Sequence, residues 1–156
     1  MKRLPAALPL AGLVLIIAAC APAGKKPETP TPAPVHALET EAKAMMAQLV
    51  VAPDSADAFT VRCDTALDLV NRMIADMEAR DTVAGAADIK FLDTITNLGY
   101  SIGFGESSVV AEANPDAALR GVGDLCQQRT SDVLTRLSLS KPVYDRLTAI
   151  DVTNLN

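Results

Sequence analysis

SADAFTVRCDTALDLVNRMIADMEAR, from Ser55 to Arg80, is the stretch whose periodicity decides the fold. Phe59, Cys63, Ala66, Leu67, Val70, Met73, Ile74 and Met77 recur every three or four residues, the spacing that lines one face of an α-helix with apolar side chains. A helix with one buried face is expected here, beginning near Ser55, where Ser and Asp side chains can cap free backbone N–H groups and complement the helix dipole. The opposite face carries Asp64, Asp68, Arg72, Asp76 and Arg80 at four-residue steps, with acid before base in the pairs Asp68 with Arg72 and Asp76 with Arg80. Because each acid has an Arg nearby, this ladder reads as a solvated face rather than a carboxylate metal site.

Outward from this helix the pattern stays helical. Ala37 to Val51 forms an expected first helix, stopped near Pro53. Ala86 to about Ile102 forms a third, with Phe91, Ile95, Leu98 and Ile102 as its stripe and Gly103-Phe104-Gly105 as its end. Asn114-Pro115-Asp116 announces a new start, with Asn as cap, Pro at the first helical position and Asp in the first turn. That fourth helix runs through Leu119, Val122, Cys126, Val133 and Leu137 to about Leu139, and a short last helix fits Pro142 to Ile150. No segment alternates apolar and polar residues with a period of two. The expected fold is an all-α bundle with antiparallel neighbours and short loops.

The first residues, MKRLPAALPLAGLVLIIAAC, have a different character. Lys2 and Arg3 precede an apolar run from Leu4 to Ala19, the layout of an export signal, and the run is too short and too Pro-interrupted for a comfortable membrane span. Ile17-Ala18-Ala19-Cys20 resembles the lipobox of bacterial lipoproteins, which makes Cys20 the expected acylation site and residues 1–19 the signal removed. An ordinary cleavable signal or an uncleaved anchor is the competing reading, and the position of Cys20 at the cleavage point weighs against both. Loss of Lys2 and Arg3 leaves 12 basic against 19 acidic residues, a net charge of −7. Anionic lipid surfaces would repel such a body, so attachment to the membrane falls to the acyl chains. Ala21 stands where an Asp would suggest inner-membrane retention, so the expected residence is the outer membrane, facing the periplasm. Residues 20–36 then form a lipidated, Pro-rich tether of polyproline composition, and residues 37–156 the helical domain.

The whole chain of 156 residues is 49% hydrophobic and 21% charged, the composition of one modest folded domain. A net charge of −5 is opposite to what phosphate backbones select, and nucleic acid is excluded as an expected partner. His36, the one histidine, lies at the tether boundary, so neither a zinc set nor a Ser-His-Asp triad can be assembled. Gly121-Val122-Gly123, and Gly99 with Gly103, lack the strand and the Lys of a phosphate loop and read as close helix packing or helix ends. No catalytic residue, metal ligand or cofactor is therefore expected. Cys63 and Cys126 remain once Cys20 is lipidated, an even pair in a compartment where disulfides persist. A bridge is favoured over two separate buried thiols acting as small hydrophobes.

From Asp93 to Asp151 the sequence also resembles the N-terminal helical region of thimet-oligopeptidase-like zinc metallopeptidases, the family of oligopeptidase A and the peptidyl-dipeptidases. The features that carry the resemblance are Asn114-Pro115-Asp116, Leu119-Arg120, Cys126 with Ser131 following, Leu137-Ser138-Leu139-Ser140 and Pro142-Val143-Tyr144-Asp145-Arg146-Leu147. In that family these helices wall a channel for short peptides, while zinc is held by a His-Glu-x-x-His helix that this sequence lacks. The resemblance implies a non-catalytic module that binds peptides or an envelope protein. Its alternatives are an N-terminal part of a lipid-anchored peptidase, whose bundle would leave an apolar face exposed, and a purely structural envelope lipoprotein.

Overall fold

The computed structural model describes residues 35–49 and 53–154, with side chains from Ala37 to Leu49 and from Pro53 to Thr153. Among these residues the fold is all-α, in the order α1 (Val35–Gln48), α2 (Ala56–Ala79), α3 (Ala86–Tyr100), a π-helical turn (Ser101–Glu106), α4 (Ser107–Ala113), α5 (Ala117–Ser138), α6 (Lys141–Thr148) and a closing 3-10 turn (Val152–Asn154). The first helix thus begins two residues before the boundary read from sequence. Its expected end at Val50 and Val51, the leader, Cys20 and the tether up to Pro34 lie outside the described residues.

α2 is the central helix. Ser55 caps it, its side chain accepting a hydrogen bond from the Ala58 N–H at 3.1 Å. All eight apolar positions read from the sequence are buried, with Leu69 beside them, and they join Leu38, Ala42 and Met45 of α1, Phe91, Ile95 and Leu98 of α3 and Leu119, Cys126 and Leu137 of α5 in one hydrophobic cluster. Fully burying a side chain such as Phe59 or Leu69 stabilises the fold by about 1.5–3 kcal/mol.

Three sequence expectations need correction. The first concerns Gly103-Phe104-Gly105, which do not end the third helix. No described glycine has positive φ, and α3 continues through the π-turn into α4. In that turn the Ser107 N–H reaches back to the Ile102 carbonyl, and the Ser107 hydroxyl donates to the same oxygen. Gly103 serves close packing instead, since a Cβ there would overlap the Thr130 side chain of α5. The second concerns Asn114, which is not the cap of the next helix. Its side chain accepts from the Asp116 N–H at 2.9 Å, and Asp116 caps α5 by accepting from the Ala118 N–H at 2.8 Å.

The third correction is that Asp76 and Arg80 do not belong to the solvated face of α2. The Arg80 and Asp76 side chains are 10% and 7% exposed, because α6 brings Arg146 over this end of the bundle. Asp88 lies between the cations. Its Oδ1 accepts from Arg80 at 2.9 Å and from Arg146 Nε at 2.8 Å, and its Oδ2 accepts from the Gly85 N–H at 2.9 Å, at the start of α3. Arg146 also donates to the Arg80 and Thr82 carbonyls, and the Arg80 guanidinium sits 3.9 Å above the centre of the Phe91 ring. Asp64, Asp68 and Arg72 are exposed as read, with Asp64 paired to Arg129 and Arg72 paired to both Asp68 and Glu41.

The continuous α3–α4 segment and α5 run antiparallel. Gly99 meets Leu134 and Gly123 meets Ser107 and Ala111, so α3 and α4 descend as α5 rises. α2 and α5, separated in sequence by α3, the π-turn and α4, run parallel. Asp64 pairs with Arg129 and Asn71 with Arg136 along their length, and past the end of α5 the Ser140 hydroxyl donates to Glu78.

Candidate functional site

The parallel α2–α5 contact brings Cys63 and Cys126 together, their sulfurs within bonding distance and their Cα atoms 6.1 Å apart. That separation is ordinary for a bridged pair. Both residues are buried, whereas reactive thiols are partly exposed. The bridged pair Cys63 and Cys126 ties α2 to α5. Cys20 lies outside the described residues.

A second feature of the bundle escaped the sequence reading. Beside the π-turn a groove of about 470 Å³ opens between the end of α1 and α4, walled by Leu49, Pro53, Val109, Val110 and Ala113. Glu106, at the last position of the π-turn, lines it and is the one charged residue in that wall among the described residues. Its side chain is 7% exposed and pairs through Oε1 with Arg62 of α2. The other oxygen, Oε2, is buried and has no hydrogen-bond partner. Burial raises the pKa of this carboxyl above the ordinary Glu value, and the Arg62 charge and hydrogen bond only partly oppose it. Insertion of one residue into a helix as a π-turn commonly accompanies a functional position, because it turns a side chain away from the regular helical stripe. The signal in the sequence was Glu106 alone among small and apolar residues from Ile102 to Ala111, which periodicity does not distinguish from a surface acid.

A smaller apolar groove of about 280 Å³ lies between α3, α5 and α6, lined by Leu92, Tyr100, Leu134, Val143, Tyr144 and Leu147. Tyr100 and Phe104, one turn apart, bring their rings to 5.4 Å at its edge. With Tyr144 they are the aromatic residues that stay outside the core, while Phe59 and Phe91 are fully buried. Among the described residues no three His, Cys, Asp or Glu side chains converge as a metal site. No described helix is long and apolar enough to cross a membrane.

Comparison with protein-family models, with curated proteins and with solved structures finds no match to this chain.

Proposed function

We propose that this chain is a lipid-anchored protein of the bacterial cell envelope, held to the outer membrane through Cys20 and presenting a non-catalytic helical module to the periplasm. The observation that carries the reading is Ile17-Ala18-Ala19-Cys20 at the end of a short apolar run behind Lys2 and Arg3. The buried Cys63 and Cys126 support it, since a bridge between them persists in the oxidising compartment that export reaches. In cells expressing the wild-type chain, a fatty-acid analogue should label the protein, and Cys20→Ser should abolish the label. A water-soluble wild-type product beginning at another residue would overturn the anchor.

The likeness of residues 93–151 to an oligopeptidase channel wall adds a class of ligand to this reading, short peptides, and no chemistry. Zinc peptidase catalysis needs two His on one helix, a further ligand and a Glu to take the proton of the metal-bound water. Purified protein should accordingly leave a fluorogenic peptide intact with and without added zinc. Chelator-sensitive turnover that follows the protein through purification would overturn the non-catalytic reading.

A further inference from the structure

The groove beside the π-turn combines hydrocarbon walls with a half-satisfied buried carboxylate. Its volume of about 470 Å³ lies in the range of small-molecule sites. An apolar pocket needs few polar groups to orient what it binds, and here the described wall supplies two polar side chains, Glu106 and Asn114, of which Glu106 alone is charged. A buried acceptor without a partner is costly to keep, and a donor carried by a ligand would remove that cost. Oε2 is the atom that lacks one. Glu106 lines the groove, and the terminal torsion of a Glu side chain is broad and soft, so a modest turn of the whole planar carboxylate presents Oε2 to a ligand provided the Arg62 side chain follows Oε1.

Charge then selects the donor. Hydrogen bonds to an ionised carboxylate are stronger when the donor is also charged. The described residues carry 18 Asp and Glu against 10 Lys and Arg, so the field around the domain draws cations toward it and repels anions. A bare metal ion is a poor fit, because Glu106 is the one carboxylate in the described wall, the Asn114 side-chain oxygen is engaged by the Asp116 N–H, and the other described side chains there are apolar. We infer that this groove binds a small apolar ammonium ion, its hydrocarbon body against Leu49, Val109 and Val110 and its N–H groups on Glu106. The inference stands apart from the anchoring of Cys20.

The test uses the full chain in a mild non-ionic detergent at neutral pH, with cyclohexylammonium as probe and cyclohexanol as its uncharged counterpart, followed by the methyl signals of Val109 and Val110. Saturable shifts are expected with the ammonium, together with a loss of about tenfold or more in affinity both for cyclohexanol and in Glu106→Gln. Val109→Trp keeps the Glu106–Arg62 pair and fills the groove from an exposed position, and it should abolish binding even if Glu106→Gln does not fold. Absence of saturable shifts in the wild type, equal affinity for cyclohexanol, equal affinity in a folded Glu106→Gln, or unchanged affinity in Val109→Trp would each overturn the site.

Discussion

Asp88 shows how one carboxylate is held charged inside a protein. Burial by itself would raise its pKa, yet the hydrogen bonds from Arg146, the Gly85 N–H and Arg80 outweigh that penalty and hold the group below the ordinary Asp range. Removing one partner from a buried set leaves the others uncompensated, which is where the large energies lie. Asp88→Asn should therefore destabilise the protein by about 3 kcal/mol in urea unfolding at neutral pH. The sign with pH follows from the lowered pKa. The contribution of Asp88 is complete above the unfolded Asp value of about 3.9 and is lost as pH falls through the lower folded value. On acidification the wild type should lose stability more steeply than Asp88→Asn, and equal slopes would show that the network does not hold the carboxylate ionised. Glu106 has the opposite sign. Its raised pKa makes the folded state the better proton binder, so its contribution declines as pH rises from the unfolded value through the folded one. The sequence made the Asp76–Arg80 pair legible through its four-residue step. It could not show that the pair is buried, because that follows from Arg146, 66 residues beyond Arg80, which no local period reports.

At the scale of elements, the apolar stripes of α2, α3 and α5 were readable because a buried helical face must repeat every three or four residues. Positions where helices touch through their backbones leave no such stripe. Gly123 is one of these, since a Cβ on it would stand 2.9 Å from the backbone nitrogen of Ala111 and 3.0 Å from the Ser107 carbonyl oxygen. Gly121, two residues earlier on the same helix, is exposed and would bring its Cβ within 4 Å of nothing. The two sites should therefore respond to the same substitution with opposite signs. Gly121→Ala gains helix propensity and should stabilise by up to about 1 kcal/mol. Gly123→Ala gains the same propensity but must push α4 from α5, and overpacking of this kind costs about 1–3 kcal/mol, so a net loss is expected. Chemical denaturation of the two variants beside the wild type checks both, and stabilisation by Gly123→Ala would mean that the α4–α5 contact is looser than its geometry. Gly-rich composition suggested a helix end at Gly103-Phe104-Gly105. The backbone uses that same composition to let α5 approach the π-turn.

Across the whole molecule, the contact that sequence separation hides most is the one between α2 and α5. They are parallel and not consecutive, so their pairing depends on the intervening α3–α4 rod returning the chain to the starting end. Local periodicity said that each helix has a buried face and left open which faces meet. The cysteines narrowed the choice, because an even pair in a chain expected from its first residues to be exported implies a bridge, and a bridge between Cys63 and Cys126 joins these two helices. Closing a loop with a sequence separation of 63 residues restricts the unfolded chain and should contribute about 4 kcal/mol in the chain-entropy model. Mass spectrometry of unreduced, alkylated protein from the envelope should recover the two peptides linked through Cys63 and Cys126. Reduction should then lower the urea midpoint by an amount corresponding to about 4 kcal/mol, and the double substitution Cys63→Ala, Cys126→Ala should lower it further, since it also removes buried sulfur from the core. Two alkylated thiols in the exported protein would show that the cysteines only fill space, and an unchanged midpoint on reduction would show that helix packing already restricts the chain without the bridge.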